Sequence, residues 1–199
     1  RKESGDLQPQ ALYVGNMTAP QLSRQAHLGA LFADFAGLTG IEAMTVEASG
    51  ASGGAALRAG AMAVASGLVD VALVVGVEKL SDQIGGSVEE ALATSEDSDY
   101  ESVQGLTQTS QAALLMQRYL YETDAPRDAF GAFPVIAHAN GVNNPQAMFR
   151  KAISAEAYQK AGAVSQPLNM FDVAPLADGA AALILTRPQL LPPGFPYPL

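Results

Sequence analysis

The hydroxyls of Ser49 and Ser52 are side chains that could act as nucleophiles. They lie in Ser49-Gly50-Ala51-Ser52-Gly53-Gly54, a small-residue turn that opens a helix. Amide N–H groups at a helix start polarise a carbonyl and favour negative charge. A serine nucleophile also needs a base to take its proton. The chain has two histidines, His27 and His138, and neither sits in a recognisable nucleophile motif. Ser52 therefore reads as a helix cap. His138 is either a base or a structural histidine bonded to a backbone carbonyl. His27 is expected to pack beneath the 49–54 turn or at a subunit contact. The sequence has no cysteine, which excludes thiolate catalysis, disulfides and thiolate metal sites from this chain. Two histidines are too few for a Zn-type cluster, so no metal is expected. The acidic run Glu96-Asp97-Ser98-Asp99 reads as part of a solvated loop over 82–102, and Met116, Met148 and Met170 as packing residues.

A net charge of −9 repels nucleic acid and anionic membrane surfaces, so neither is an expected partner. An anionic ligand would need a local cationic site against that field. Hydrophobic residues make up 48% of the 199, enough for one real core, but aromatics are few and Trp is absent. Ala, Val, Leu and Gly must fill the interior, which suits close layered packing of helices on a sheet. The best apolar stretch is broken by Arg58, Asp70 and Glu78, so no membrane span is expected. The polar start RKESGDLQPQ reads as neither signal nor anchor, and a cytoplasmic location is the expectation.

The elements that must position these residues follow from periodicity. Residues 11–14 form a short apolar strand ended by Gly15-Asn16. Apolar residues at helical spacing predict one helix over 21–37. A strand over 43–48 leads into the 49–54 turn and a helix to about Ser66. The run VDVALVVGV over 69–77 predicts a strand buried on both faces. Strand, helix, strand, helix, strand implies crossover units and a largely parallel sheet. Further helices are predicted over 107–121 and 126–139, the second kinked at Pro134, followed by a turn cluster over 138–145. Ser154 is set to cap a short helix. A last strand spans 180–185, with Asp178 bonding backbone in the turn before it.

Four segments together resemble the N-terminal domain of the thiolase superfamily, in particular its archaeal-type and sterol-carrier-type members. They are ALYVGNM, VEASGASGGAALRAGAMAVASGLVDVALVVGVEKLSD, AHANGVNNPQAMFRKAIS and APLADGAAALIL. The resemblance implies an α/β layered fold. Its mostly parallel five-stranded sheet carries helices on both faces, and a loop lobe is inserted before the last strand. The core would cover about 11–82 and 171–187 and the lobe about 83–165. The first strand and most of the first helix would precede Arg1, and a C-terminal domain with a histidine and a second cysteine would follow Leu199.

Thiolases carry Glu-Ala-Ala-Cys-Ala-Ser-Gly-Gly at this turn. Here the run is Glu47-Ala48-Ser49-Gly50-Ala51-Ser52-Gly53-Gly54, which puts Gly50 at the place of the nucleophile. A glycine carries no acyl group. Ser49 lies one residue off register. The resemblance also puts Arg150 and Lys151 in the lobe that holds coenzyme A, as contacts to its phosphates. The implied ligand is an acyl-CoA thioester, and the implied assembly is a homodimer or higher homo-oligomer. A separate chain supplying the C-terminal half, or a small accessory subunit, is a further partner it allows. Three functions stay open: a non-covalent C–C lyase or acyltransferase relative, a non-catalytic acyl-CoA-binding or scaffold protein with a degenerate thiolase fold, and an active thiolase relative with an altered position at Gly50.

Overall fold

The computed structural model describes residues 7–191 and 195. Most of the polar start, residues 1–6, lies outside them. The described chain divides into two compact units. One holds the sheet and runs to Ile84, resuming at Asp178, and the other is Gly85–Ala177.

In the sheet unit, β1 (Ala11–Gly15) lies between β2 (Glu42–Val46) and β3 (Val71–Glu78), parallel to both. Strand β6 (Gly179–Thr186) adds to the far edge of β3, antiparallel. The fold is therefore α/β with a mostly parallel sheet and β3 inside it. Among the described residues this sheet has four strands, where the resemblance implied five with the first ahead of Arg1.

Side chains alternate across the sheet, and each face takes a helix. Ala11, Tyr13, Ala72 and Val74 pack on Ala56, Ala63 and Val64 of α3 (Ser52–Ala65). Leu12, Val14, Leu73 and Val75 pack against Leu28 and Ala33 of α2 (Leu28–Phe35). Small residues bring α3 close, since a Cβ on Gly60 would lie 2.7 Å from Val74 Cγ2.

The single helix expected over 21–37 is instead two. Helix α1 (Ala19–Leu22) starts early because Asn16 Oδ1 accepts the Ala19 N–H at 3.0 Å. Residues 24–27 leave the helical ladder, with Arg24 and His27 at φ of 52° and 63°. Ser23 donates to Asp82 Oδ2 (2.6 Å), and Thr45 Oγ1 accepts the Gly29 N–H (3.0 Å) in the first turn of α2. His27 is thus the exposed N-cap of α2 and does not pack beneath the 49–54 turn.

In the inserted unit, the loop expected over 82–102 contains α4 (Gly86–Ala93), held by buried Val88 and Ala91 one turn apart. Asp97 Oδ1 then accepts the N–H groups of Asp99 and Tyr100, both at 2.9 Å, so the acidic run is a self-bonded turn. Helix α5 (Gln108–Thr123) begins at a Thr107–Ser110 capping box. The helix expected over 126–139 splits into a 3-10 segment, Arg127–Gly131, and α6 (Ala132–Gly141). Pro134 falls in the first turn of α6, where no N–H is required, so the break precedes it and replaces the kink. Helix α6 also extends through His138 and Asn140, so the turn expected from 138 starts after Gly141. Ser154 caps α7 (Ala155–Gln159), its Oγ accepting the Ala157 N–H at 3.1 Å. A small hairpin follows, β4 (Ala163–Ser165) with β5 (Leu168–Asn169).

Tyr158 anchors this unit. It is 5% exposed, and its hydroxyl donates to Asp172 Oδ1 at 3.0 Å. Gly131 makes room for its ring, since a Cβ there would lie 2.8 Å from Tyr158 Cδ1. Burial first, and then the bond to Asp172, push the phenol from 10.0 up to about 12. The raised folded value makes the neutral phenol's contribution to stability fully present below pH 10, and it fades as pH climbs toward 12. An absorbance titration should therefore show at least one tyrosine, Tyr158, ionising near the top of that range. Complete ionisation of all six below about pH 11 would contradict the buried bond.

Candidate functional site

The sheet unit presents the turn that joins β2 to α3. Ser49 sits in left-handed backbone at φ 51°, and its N–H donates to the Glu47 carboxylate. Ser52 is buried and is the first residue of α3, with Ala51 as N-cap. Its Oγ accepts the Ala48 N–H (2.9 Å) and donates to the Ser49 carbonyl (2.7 Å). Ser52 thus ties the turn together from inside the helix, where a cap was expected. The Ser49 hydroxyl is 3.7 Å from Met17 Sδ, on the loop after β1.

Gly50 is exposed at this strand-to-helix junction, and a Cβ built on it meets nothing within 4 Å. Gly53 and Gly54 are exposed with the same open space. First-turn N–H groups have no intrahelical acceptor, so this end of α3 offers donors to a carbonyl oxygen. Beneath the turn, Gly15 permits a close approach: a Cβ there would lie 2.5 Å from the Ser52 carbonyl oxygen. The next residues brace the same corner. Glu78, at the end of β3, accepts the Met17 N–H and the Thr18 hydroxyl, and Asn16 Nδ2 donates to the Val77 carbonyl at 2.8 Å. In the sequence Gly15-Asn16 reads only as a turn. The glycine's second role depends on a neighbour that is distant in sequence.

The inserted unit holds the other candidate residues. His138 Nδ1 lies 3.0 Å from the Lys151 carbonyl. A carbonyl only accepts, so Nδ1 carries the proton and a neutral ring leaves the Nε2 lone pair available. The ring stacks on Phe149 (centroids 6.1 Å, 16°) and meets Phe171 edge-on (5.5 Å). Arg150 and Lys151 are exposed, and Arg150 donates to the Pro145 carbonyl at 3.3 Å. His138 lines a groove of about 1060 Å³ with Tyr119, Phe133, Phe149, Met170 and Phe171. Met148 and Met170 were expected as packing residues, yet each is 58% exposed along this groove. Asp178 behaves as expected. The Ser81 hydroxyl, then the N–H groups of Ser81 (3.0 Å) and Leu80 (2.9 Å), donate to its carboxylate and hold it below the usual carboxylate range. Among the described residues no group of three or more His, Asp or Glu could hold a metal ion, and no helix is long and apolar enough to cross a membrane.

The Ser49, Gly50 and Ser52 turn lies in one unit, and His138, Arg150 and Lys151 lie in the other. Comparison with known proteins gives these features a family. The model of the thiolase N-terminal domain matches residues 8–189. An acetyl-CoA acetyltransferase of Methanothermobacter thermautotrophicus is 43% identical over 183 residues, covering 92% of this chain and 47% of the relative. A 17-hydroxy-3-oxo-4-pregnene-20-carboxyl-CoA lyase of Mycobacterium tuberculosis is 34% identical over 147 residues, covering 67% of this chain and 38% of the relative. The chain thus spans about half the length, or less, of these curated relatives. Among solved structures, an Ltp2-ChsH2(DUF35) aldolase shares the fold with a TM-score of 0.67 at 22% identity, covering 90% of this chain and 45% of that one. The matched family model and the 43% identical relative show that this chain belongs to the thiolase N-terminal domain family.

Proposed function

We propose that this chain is the N-terminal half of a thiolase-superfamily protein that binds acyl-CoA thioesters and performs no cysteine-based thiolysis. One observation carries the reading: an exposed glycine, Gly50, stands at the junction before α3 in a chain without cysteine. The 34% identity to a CoA-thioester lyase supports a C–C bond-cleaving relative. In such a reaction a base removes the β-hydroxyl proton, the bond between Cα and Cβ breaks as the carbonyl forms, and the thioester enolate takes a proton at Cα. The first-turn amides of Gly53 and Gly54 would stabilise the enolate oxygen. The acid–base groups come from the C-terminal half. Self-association through the edge strand β2, where Met44 and Thr45 are exposed, belongs to the same proposal, as does a cytoplasmic location.

Arg150 and Lys151 are the proposed contacts to the coenzyme A phosphates. Calorimetric titration with coenzyme A tests this. The double variant Arg150→Ala/Lys151→Ala should raise Kd by about tenfold, the loss of one charge-assisted bond. An unchanged Kd would remove both residues from the site.

A further inference from the structure

The groove in the inserted unit is far larger than an acetyl group needs. Its volume is about 1060 Å³, whereas an acetyl group takes on the order of 60 Å³, the room of two water molecules. We infer that the groove receives a bulky, ring-bearing apolar acyl group carried on an anionic thioester. This rests on the acyl-CoA reading above and adds the acyl class.

Three features support this occupant. The wall is aromatic and already ordered: Phe130 stacks on Phe133 (6.3 Å, 28°) and meets Tyr119 edge-on (5.6 Å). Flat faces held this way stack on a rigid ring without the rotamer loss that a flexible chain incurs. The polar content of the lining is low and committed. Asp172, its one carboxylate, already accepts the Tyr158 hydroxyl (3.0 Å) and the Asn169 N–H (2.8 Å). That leaves His138 Nε2 and the Tyr119 hydroxyl to bond polar atoms of the ligand. Charge complementarity favours an anionic carrier: the exposed cations Arg150 and Lys151 directly follow Phe149 of the lining, and the Lys151 carbonyl holds His138. An apolar body thus meets the aromatic wall while an anionic tail meets the cations.

The test is equilibrium binding of four probes to the full chain: acetyl-CoA, octanoyl-CoA, 2-naphthoyl-CoA and free 2-naphthoate. Naphthoyl-CoA should bind at least about tenfold tighter than acetyl-CoA and several-fold tighter than octanoyl-CoA. In Phe133→Ala/Met170→Ala the ratio of naphthoyl-CoA to acetyl-CoA affinity should fall below about threefold. These side chains are 70% and 58% exposed, so the variant keeps its fold, and an unaltered circular dichroism spectrum verifies that. Equal affinity for the three thioesters overturns the inference, and so does an advantage that survives the double substitution. Octanoyl-CoA matching naphthoyl-CoA overturns its ring clause. If free naphthoate binds and the double variant loses it while no CoA thioester binds, the acyl-CoA reading fails and the ring-binding groove stands.

Discussion

Gly15→Ala should destabilise the sheet unit by about 3 kcal/mol or more, at the upper end of what overpacking costs. The added Cβ would lie 2.5 Å from the Ser52 carbonyl oxygen, 2.7 Å from its carbon and 2.8 Å from Gly53 Cα. All three are backbone atoms of the first turn of α3, so no side chain can swing aside. The turn cannot yield cheaply, because Ser52 is buried and bonded to both Ala48 and Ser49. Strand β1 cannot yield either, since it is registered against β2 and β3 on both edges and buried throughout. Gly53→Ala is the internal control. Its Cβ meets nothing, and alanine in a helix is worth about 0.5–1 kcal/mol over glycine, so stability should hold or rise. Urea unfolding reads both. Equal midpoints for Gly15→Ala and the unaltered chain would rule out this contact.

The same glycine marks where sequence reading stops. β1, β3, β6 and α3 were legible because alternation, a continuous apolar run and a small-residue helix start each leave a local pattern. The crossing of Gly15 over Ser52 leaves none, since it joins residues far apart in the chain. The break between α1 and α2 was hidden for a related reason. Its apolar spacing is helical across 21–37, and distant groups, Asp82 on Ser23 and Thr45 on Gly29, decide against continuity. In α4 only Val88 and Ala91 are buried, too few to stand out from Gly, Ser and Glu. The groove was missed because Met148, Phe149 and Met170 look in sequence like any core residues, and only the structure leaves them more than half exposed.

Gly50→Cys should fold normally and turn an inert junction into a reactive one. The position is open and outside the left-handed backbone region, so the side chain costs little. At the amino end of the 14-residue α3 a thiol feels the helix dipole and unpaired amides, and its pKa falls below the usual 8.5 or so. Alkylation at neutral pH should run about fivefold faster than for free cysteine, the gain in thiolate being offset in part by lower nucleophilicity. The variant should also accept one acetyl group from acetyl-CoA, with the sulfur–acyl bond forming as coenzyme A leaves. It should not turn over in thiolysis, because on the proposed reading the acid–base groups lie in a C-terminal half. A rate no faster than free cysteine would show that the junction does not activate a nucleophile.

The most direct measurement is intact-protein mass spectrometry of the unaltered chain after incubation with acetyl-CoA, with Gly50→Cys beside it. The unaltered chain should keep its mass, because Gly50 offers no atom to acylate and Ser52 is bonded into the turn. The variant should gain one acetyl group at residue 50. A stable acetyl adduct on Ser49 or Ser52 of the unaltered chain would contradict the non-covalent reading and establish a serine nucleophile.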